Sequence, residues 1–185
     1  MNRSRLTLVR HGESTWNSSR RVQGQNDESV LTEHGREQIL RAAEMLPADL
    51  EVAVSSDLRR TRESASILLV GFSIPLTLDP GFRERHYGVL EEGPLEAVTP
   101  ELMGVRDGVV VDSGAHPEGG ESLADFFARV AESLERIASM GARHSLIVTH
   151  GGTIRMIRAY CEGADLKGLA WDPVPNASVW TVDLP

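Results

Sequence analysis

Twice in this sequence a short, strongly apolar run ends in a histidine followed at once by glycine. Leu6-Thr7-Leu8-Val9 leads into Arg10-His11-Gly12, and Ser145-Leu146-Ile147-Val148-Thr149 leads into His150-Gly151-Gly152. Apolar runs this short, bounded by turn formers, read as strands buried on both faces. Such strands belong to parallel sheets covered by helices, and in open sheets of that class the carboxyl ends of the strands face the ligand-binding crevice. The repeated context thus constrains the fold and marks one end of it.

The intervening segments supply the helices. From Thr32 to Leu46 apolar side chains recur at Ile39, Ala42, Ala43 and Leu46, with Thr32 as N-cap and Pro47 as stop. Glu51 to Val54 reads as a strand, and Ser55-Ser56-Asp57 offers capping side chains to a helix reaching about Val70. Leu76-Thr77-Leu78 is a third short strand, Ser122 caps a helix to Met140, the segment after His150 is helical to Tyr160, and Val179 to Val182 closes the pattern as a strand. Between Asp79 and Gly120 the sequence is irregular, with a short helix expected within Glu91 to Met103. Strands alternating with helices predict a three-layer α/β/α sandwich around a mostly parallel sheet, formed by one domain over residues 1–185.

A formal charge of −8 (19 basic against 27 acidic residues) argues against nucleic acid and anionic membranes as partners. Cys161 is the only cysteine, so no intramolecular disulfide can form, and a reducing cytoplasm is the expected location. The apolar run ending at Val9 is too short for a signal-peptide core or a membrane span.

Arg10 beside His11 bears on what the strand ends bind. A fixed guanidinium is unfavourable next to a divalent cation and favourable next to phosphate, and no HxH or HExxH spacing accompanies it. Arg59 and Arg60, expected in the first turn of their helix, oppose the helix dipole and so also point to an anion.

At this point the sequence resembles the histidine phosphatase superfamily, the phosphoglycerate-mutase-like fold. The resemblance rests on Leu8-Val9-Arg10-His11-Gly12-Glu13-Ser14 with Trp16-Asn17, then Ser55-Ser56-Asp57-Leu58-Arg59-Arg60-Thr61. It continues through Phe82-Arg83-Glu84-Arg85-His86-Tyr87-Gly88, Gly119-Gly120-Glu121-Ser122, Val148-Thr149-His150-Gly151-Gly152 and Asn176-Ala177-Ser178, in the family's order. It implies that His11 attacks phosphorus, that Arg10, Arg60 and His150 hold the equatorial oxygens, and that Glu84 protonates the leaving oxygen and later activates water. Asn17, Gln23, Gly24 and Gly151 are expected to border the phosphate, and His86 to face substrate. No metal or cofactor is implied, only a small phosphorylated substrate, with the protein a monomer or homodimer. A neutral His11 is needed, with one ring nitrogen free and the proton on the other held by a backbone carbonyl acceptor; the neighbouring cations are expected to lower its pKa by like-charge repulsion.

Glu84-Arg85-His86-Tyr87-Gly88 is close to the mutase branch. That branch carries a lysine eleven residues after the acid, where Leu95 stands here, and an adjacent arginine pair beyond it, whereas between Tyr87 and Ala128 this chain has only Arg106. Without those cations a bisphosphorylated intermediate should escape, so a phosphomonoesterase is preferred over a 2,3-bisphosphoglycerate-dependent mutase, and both over a non-catalytic phosphate-binding or interaction module. Leu90, Leu95, Val98, Leu102 and Met103 form either an apolar wall of the site or part of the core.

Overall fold

Five strands form one sheet in the computed structural model, which describes residues 4–185. The strands of the chain are β1 (Ser4–Arg10), β2 (Val52–Ser55), β3 (Leu76–Leu78), β4 (Val105–Arg106), β5 (Val109–Val110), β6 (His144–Thr149) and β7 (Val179–Leu184). The sheet runs β3-β2-β6-β1-β7, parallel throughout except for β7, which pairs antiparallel with β1. β4 and β5 make a separate hairpin.

The helices are α1 (Thr15–Ser18), α2 (Glu33–Ala43), α3 (Arg59–Leu68), α4 (Pro100–Met103), α5 (Leu123–Ser139) and α6 (Gly151–Glu162). Strand alternation divides the core in two. Leu6 and Leu8 of β1, Val54 of β2 and Ile147 of β6 pack with Phe126, Val130 and Leu134 of α5 and Ile154 and Ile157 of α6. Val9, Ala53, Leu146 and Val148 face the other way, onto Ile39 and Ala42 of α2 and Ala65 and Leu68 of α3. The architecture is therefore the expected three-layer α/β/α sandwich around a mostly parallel sheet. Among the described residues no helix is long and apolar enough to cross a membrane.

Two caps form as the sequence predicts: the Thr32 side chain accepts from Gly35 N–H at 2.9 Å, and Ser122 from Asp125 N–H at 3.0 Å. The third does not. α3 begins after Leu58 with no side-chain cap of its own. Its first N–H, on Arg59, donates instead to Asp27 from a distant loop, because Asp57 is taken by the Arg83 guanidinium at 2.5 and 2.7 Å. The helix expected within residues 91–103 shrinks to the four residues of α4. Pro94 and Pro100 lack the N–H that a continuous helix would use, and the chain before α4 makes only single tight turns, at Gly88–Leu90 and Leu95–Ala97.

Candidate active site

Register brings the two strand-end histidines together. β1 and β6 pair up to Arg10 opposite Thr149, so the next residue of each strand is His11 or His150. Their rings lie edge to face with centroids 5.2 Å apart. β2 enters from the other side of β6, Ser55 opposite Val148, and delivers Ser56 and then α3 with Arg60 to the same edge. The site thus forms where the parallel strands end, at the opening of α6.

His11 is almost fully buried, and its Nδ1–H donates to the Gly12 carbonyl at 2.7 Å. A carbonyl can only accept, so the proton sits on Nδ1 and the Nε2 lone pair is left open. Burial is the first cause holding the His11 pKa well below the usual histidine range; Arg60 and Arg10 push it further down, while the Gly12 carbonyl opposes them. Like-charge repulsion, the expected cause, is the second contribution rather than the first. The turn after His11 needs glycine: a Cβ on Gly12 would stand 2.3 Å from the Gly35 carbonyl oxygen.

Arg10 and Arg60 are anchored from behind. Arg10 Nη1 donates to the Val174 carbonyl at 2.5 Å, and Arg60 to the carbonyls of Asn26 (2.9 Å) and Gly24 (2.7 Å). Each keeps a buried Nε–H with no protein partner among the described residues. Burial lowers both pKa values, that of Arg60 to about 10 against the pull of Glu84, so both remain cations at neutral pH. His150 is also buried and held well below the usual range, by burial first and then by Arg60, His11 and Arg10.

Glu84 is not the surface ion pair its arginine neighbours allow. Arg83 pairs with Asp57, and Arg85 is buried with its guanidinium donating to the carbonyls of Glu121 (2.8 Å) and Ala115 (2.7 Å). The Glu84 carboxyl instead accepts from the backbone N–H groups of Gly152 (2.9 Å) and Arg85 (2.8 Å). Gly152 has no room for a side chain, since a Cβ would lie 2.1 Å from Glu84 Oε1. Arg129 braces the same loop: it donates to the carbonyls of Gly81, Arg83 and Glu84 and pairs with Glu121, whose other contact is His86 N–H.

Together Arg10, His11, Asn17, Gln23, Gly24, Arg60, Glu84 and His150 line one pocket of about 210 Å³. That is below the ~300–1,000 Å³ of sites for drug-sized ligands and suits a small polar group. Asn17 Oδ1 is occupied by Ser14 N–H (3.1 Å) and Asn176 (3.2 Å), and Gln23 Oε1 by the Ser14 hydroxyl (2.7 Å). Neither NH2 group has a protein acceptor among the described residues, so the pocket wall is rich in donors.

Two expected members stand apart. His86 does not line the pocket; its Nδ1 accepts from Gly88 N–H at 3.0 Å, and its Nε2 lies 3.9 Å from Glu91, turning the ring aside. Gly151 opens α6 and does not line the cavity; a Cβ on it would lie 3.5 Å from Arg10 Nε. Conversely, Trp16, Arg20, Arg21, Val22 and Tyr87 line the pocket without having been singled out, joined by Leu95 and Val98. Arg21 stacks over Trp16 at 4.5 Å and Arg20 pairs with Glu96 at 2.7 Å. The adjacent Arg20-Arg21 pair was the available signal. Met103 belongs to the core, against Arg85, and Arg106 lies in the β4–β5 hairpin, away from the pocket.

Comparison with known proteins places this arrangement. The family described as histidine phosphatase superfamily (branch 1) matches residues 6–184. A probable phosphoglycerate mutase GpmB of Erwinia tasmaniensis is 38% identical over 181 residues, covering 95% of this chain and 83% of the relative. Among solved structures, YhfR of Bacillus stearothermophilus superposes with a TM-score of 0.81 at 30% identity, covering 96% of this chain and 90% of that one. A mycobacterial glucosyl-3-phosphoglycerate phosphatase gives 0.80 at 31% identity, with 97% and 89% covered. The chain belongs to the histidine phosphatase superfamily.

Proposed function

We propose that the protein hydrolyses small phosphomonoesters through a phosphohistidine formed on His11. The observation that carries this reading is the open Nε2 lone pair of His11 in a small pocket that Arg10, Arg60 and His150 share with the Glu84 carboxyl. In the first step Nε2 bonds to phosphorus and the ester P–O bond breaks. Arg10, Arg60 and His150 hold the equatorial oxygens, while Glu84 delivers a proton to the departing oxygen. In the second step water attacks the phosphohistidine, Glu84 takes its proton, and the P–N bond breaks to give inorganic phosphate and His11.

A second reading, phosphoglycerate mutase, gains from one observation. The cations missing between Tyr87 and Ala128 are partly replaced by Arg20 and Arg21, which reach the pocket from the loop after α1. Glu96 neutralises Arg20, and Arg21 spends its Nε on the Glu92 carbonyl, so the hydrolase reading is kept.

Two assays test the choice. Incubation with p-nitrophenyl phosphate between about pH 5 and 8 should release phosphate and leave acid-labile phosphate on His11. No turnover and no label would leave a phosphate-binding module. With 3-phosphoglycerate primed by 2,3-bisphosphoglycerate, isomerisation far faster than phosphate release would establish the mutase instead.

A further inference from the structure

Ser56 takes no part in the steps above, yet it is fully buried just after β2 and touches the second histidine. Its backbone is pinned on both sides: its N–H donates to the Val148 carbonyl at 3.0 Å, and its own carbonyl accepts from the Ser55 and Thr61 hydroxyls at 2.8 Å each. The hydroxyl has two neighbours, the Leu58 N–H at 3.4 Å and His150 Nε2 at 3.0 Å. Across the imidazole ring, His150 Nδ1 is buried and has no protein partner among the described residues, and His150 lines the pocket.

A neutral imidazole has one N–H to place. If Nε2 carried it, the bond would run from His150 to Ser56 Oγ, which already accepts from Leu58. The hydroxyl hydrogen of the fully buried Ser56 would then have no protein acceptor among the described residues, and Nδ1 would present a lone pair to an incoming anion. If the hydroxyl donates to Nε2, the serine is fully paired: Oγ accepts from Leu58 N–H and gives its hydrogen bond to His150, and the unpaired Nδ1–H is left for a ligand.

We propose that Ser56 is a positioning residue that fixes His150 in the Nδ1–H tautomer, so that the neutral ring meets the bound phosphoryl group as a hydrogen-bond donor. The inference deepens the proposed function and rests on it for the identity of the ligand. Neutrality is what makes the serine necessary. A protonated imidazole donates from both nitrogens whatever lies behind it, whereas burial among Arg60, His11 and Arg10 keeps His150 uncharged and leaves its single proton to be directed from outside.

The test reads the tautomer directly, in the resting protein without substrate. With 15N-labelled histidine, the His150 signals are assigned by their loss in His150→Asn, and the shifts of the two ring nitrogens show which carries hydrogen. The expected result is a protonated Nδ1 and an unprotonated Nε2. Ser56→Ala should shift His150 toward a mixture or toward Nε2–H and lower kcat/KM for p-nitrophenyl phosphate about tenfold. Ser56→Thr, which keeps the hydroxyl, should restore both tautomer and rate. The ~tenfold figure is set below the 10²–10³-fold loss typical of deleting a donor outright, because Ser56→Ala frees the tautomer without removing the ring.

A wild-type His150 carrying its proton on Nε2 overturns the proposal, as does a Ser56→Ala protein with unchanged tautomer and rate. Should Ser56→Ala fail to fold, the wild-type spectrum and the Ser56→Thr protein still decide. A protein that hydrolyses no phosphomonoester while His150 shows Nδ1–H counts against the proposed function and supports the tautomer assignment.

Discussion

At the end of β1 and at the end of β6 the chain does nearly the same thing and obtains opposite chemistry from it. Each strand is buried, each stops at a histidine, and each imidazole is kept neutral by burial among cations. The rings differ in what stands behind them. His11 gives its Nδ1–H back to the Gly12 carbonyl and turns a lone pair to the pocket. In the proposed tautomer His150 Nε2 accepts a hydrogen bond from the Ser56 hydroxyl and Nδ1–H is left for the same pocket. One proton position thus yields an acceptor on one strand and a donor on the other. The function of a strand-end histidine is set by the residue that binds its far nitrogen.

The sharpest way to break this comparison is to delete each ring in turn. Losing the nucleophile in His11→Ala should cost turnover on the order of 10⁴-fold or more and abolish covalent labelling, since the open Nε2 lone pair of His11 is lost. His150→Gln should cost about 10²–10³-fold, the usual loss for one donor, and still accumulate phosphate on His11. Rapid-quench labelling with a 32P-phosphoester measures both. Equal losses, or label lost in His150→Gln, would erase the proposed division between nucleophile and donor.

A smaller effect sharpens what the two rings share. Both folded-state pKa values lie below the unfolded value of about 6.5. Between the depressed pKa and 6.5 the unfolded chain therefore binds more protons than the folded one, so stability falls as pH drops below about 6.5 and is unaffected by these groups above it. Each histidine contributes up to about 1.4 kcal/mol per pH unit in that window, or roughly 3–6 °C in Tm for a chain of this size. Thermal unfolding at pH 7.5, 6.5 and 5.5 should thus show an acid slope that His11→Asn and His150→Asn each flatten. A variant with the wild-type slope would mean that its histidine is protonated in the fold.

How much of this was legible in the sequence follows from how local each cause is. His11 and His150 announce themselves because the apolar run and the glycine that frame them lie within a few residues, and β pairing then fixes their meeting. The caps by Thr32 and Ser122 are equally local. Asp27 against Arg59 is not: 32 residues separate them, and nothing near either predicts the contact. Leading desolvation of His11 escapes a one-dimensional reading for the same reason, since burial is a property of the packed site. His86 looked functional beside Glu84, but Gly88 and Glu91 hold its ring away from the pocket.

The rim gives the smallest expected effect and the most discriminating one. Arg20 and Glu96 form an exposed pair, with side chains 68% and 61% accessible, so Arg20→Ala should change stability by less than about 1 kcal/mol. Toward p-nitrophenyl phosphate, which has no second anionic group to reach the rim, kcat/KM should stay within about threefold, because Arg10, Arg60 and His150 are untouched. The mutase reading requires a different result. If Arg20 helps retain a bisphosphorylated intermediate, its removal should sacrifice isomerisation of 3-phosphoglycerate and raise phosphate release, the loss approaching tenfold for each ~1.4 kcal/mol of charged contact removed. Equal and small effects on both substrates would leave the inner pocket as the seat of chemistry and the rim arginines as a solvated wall.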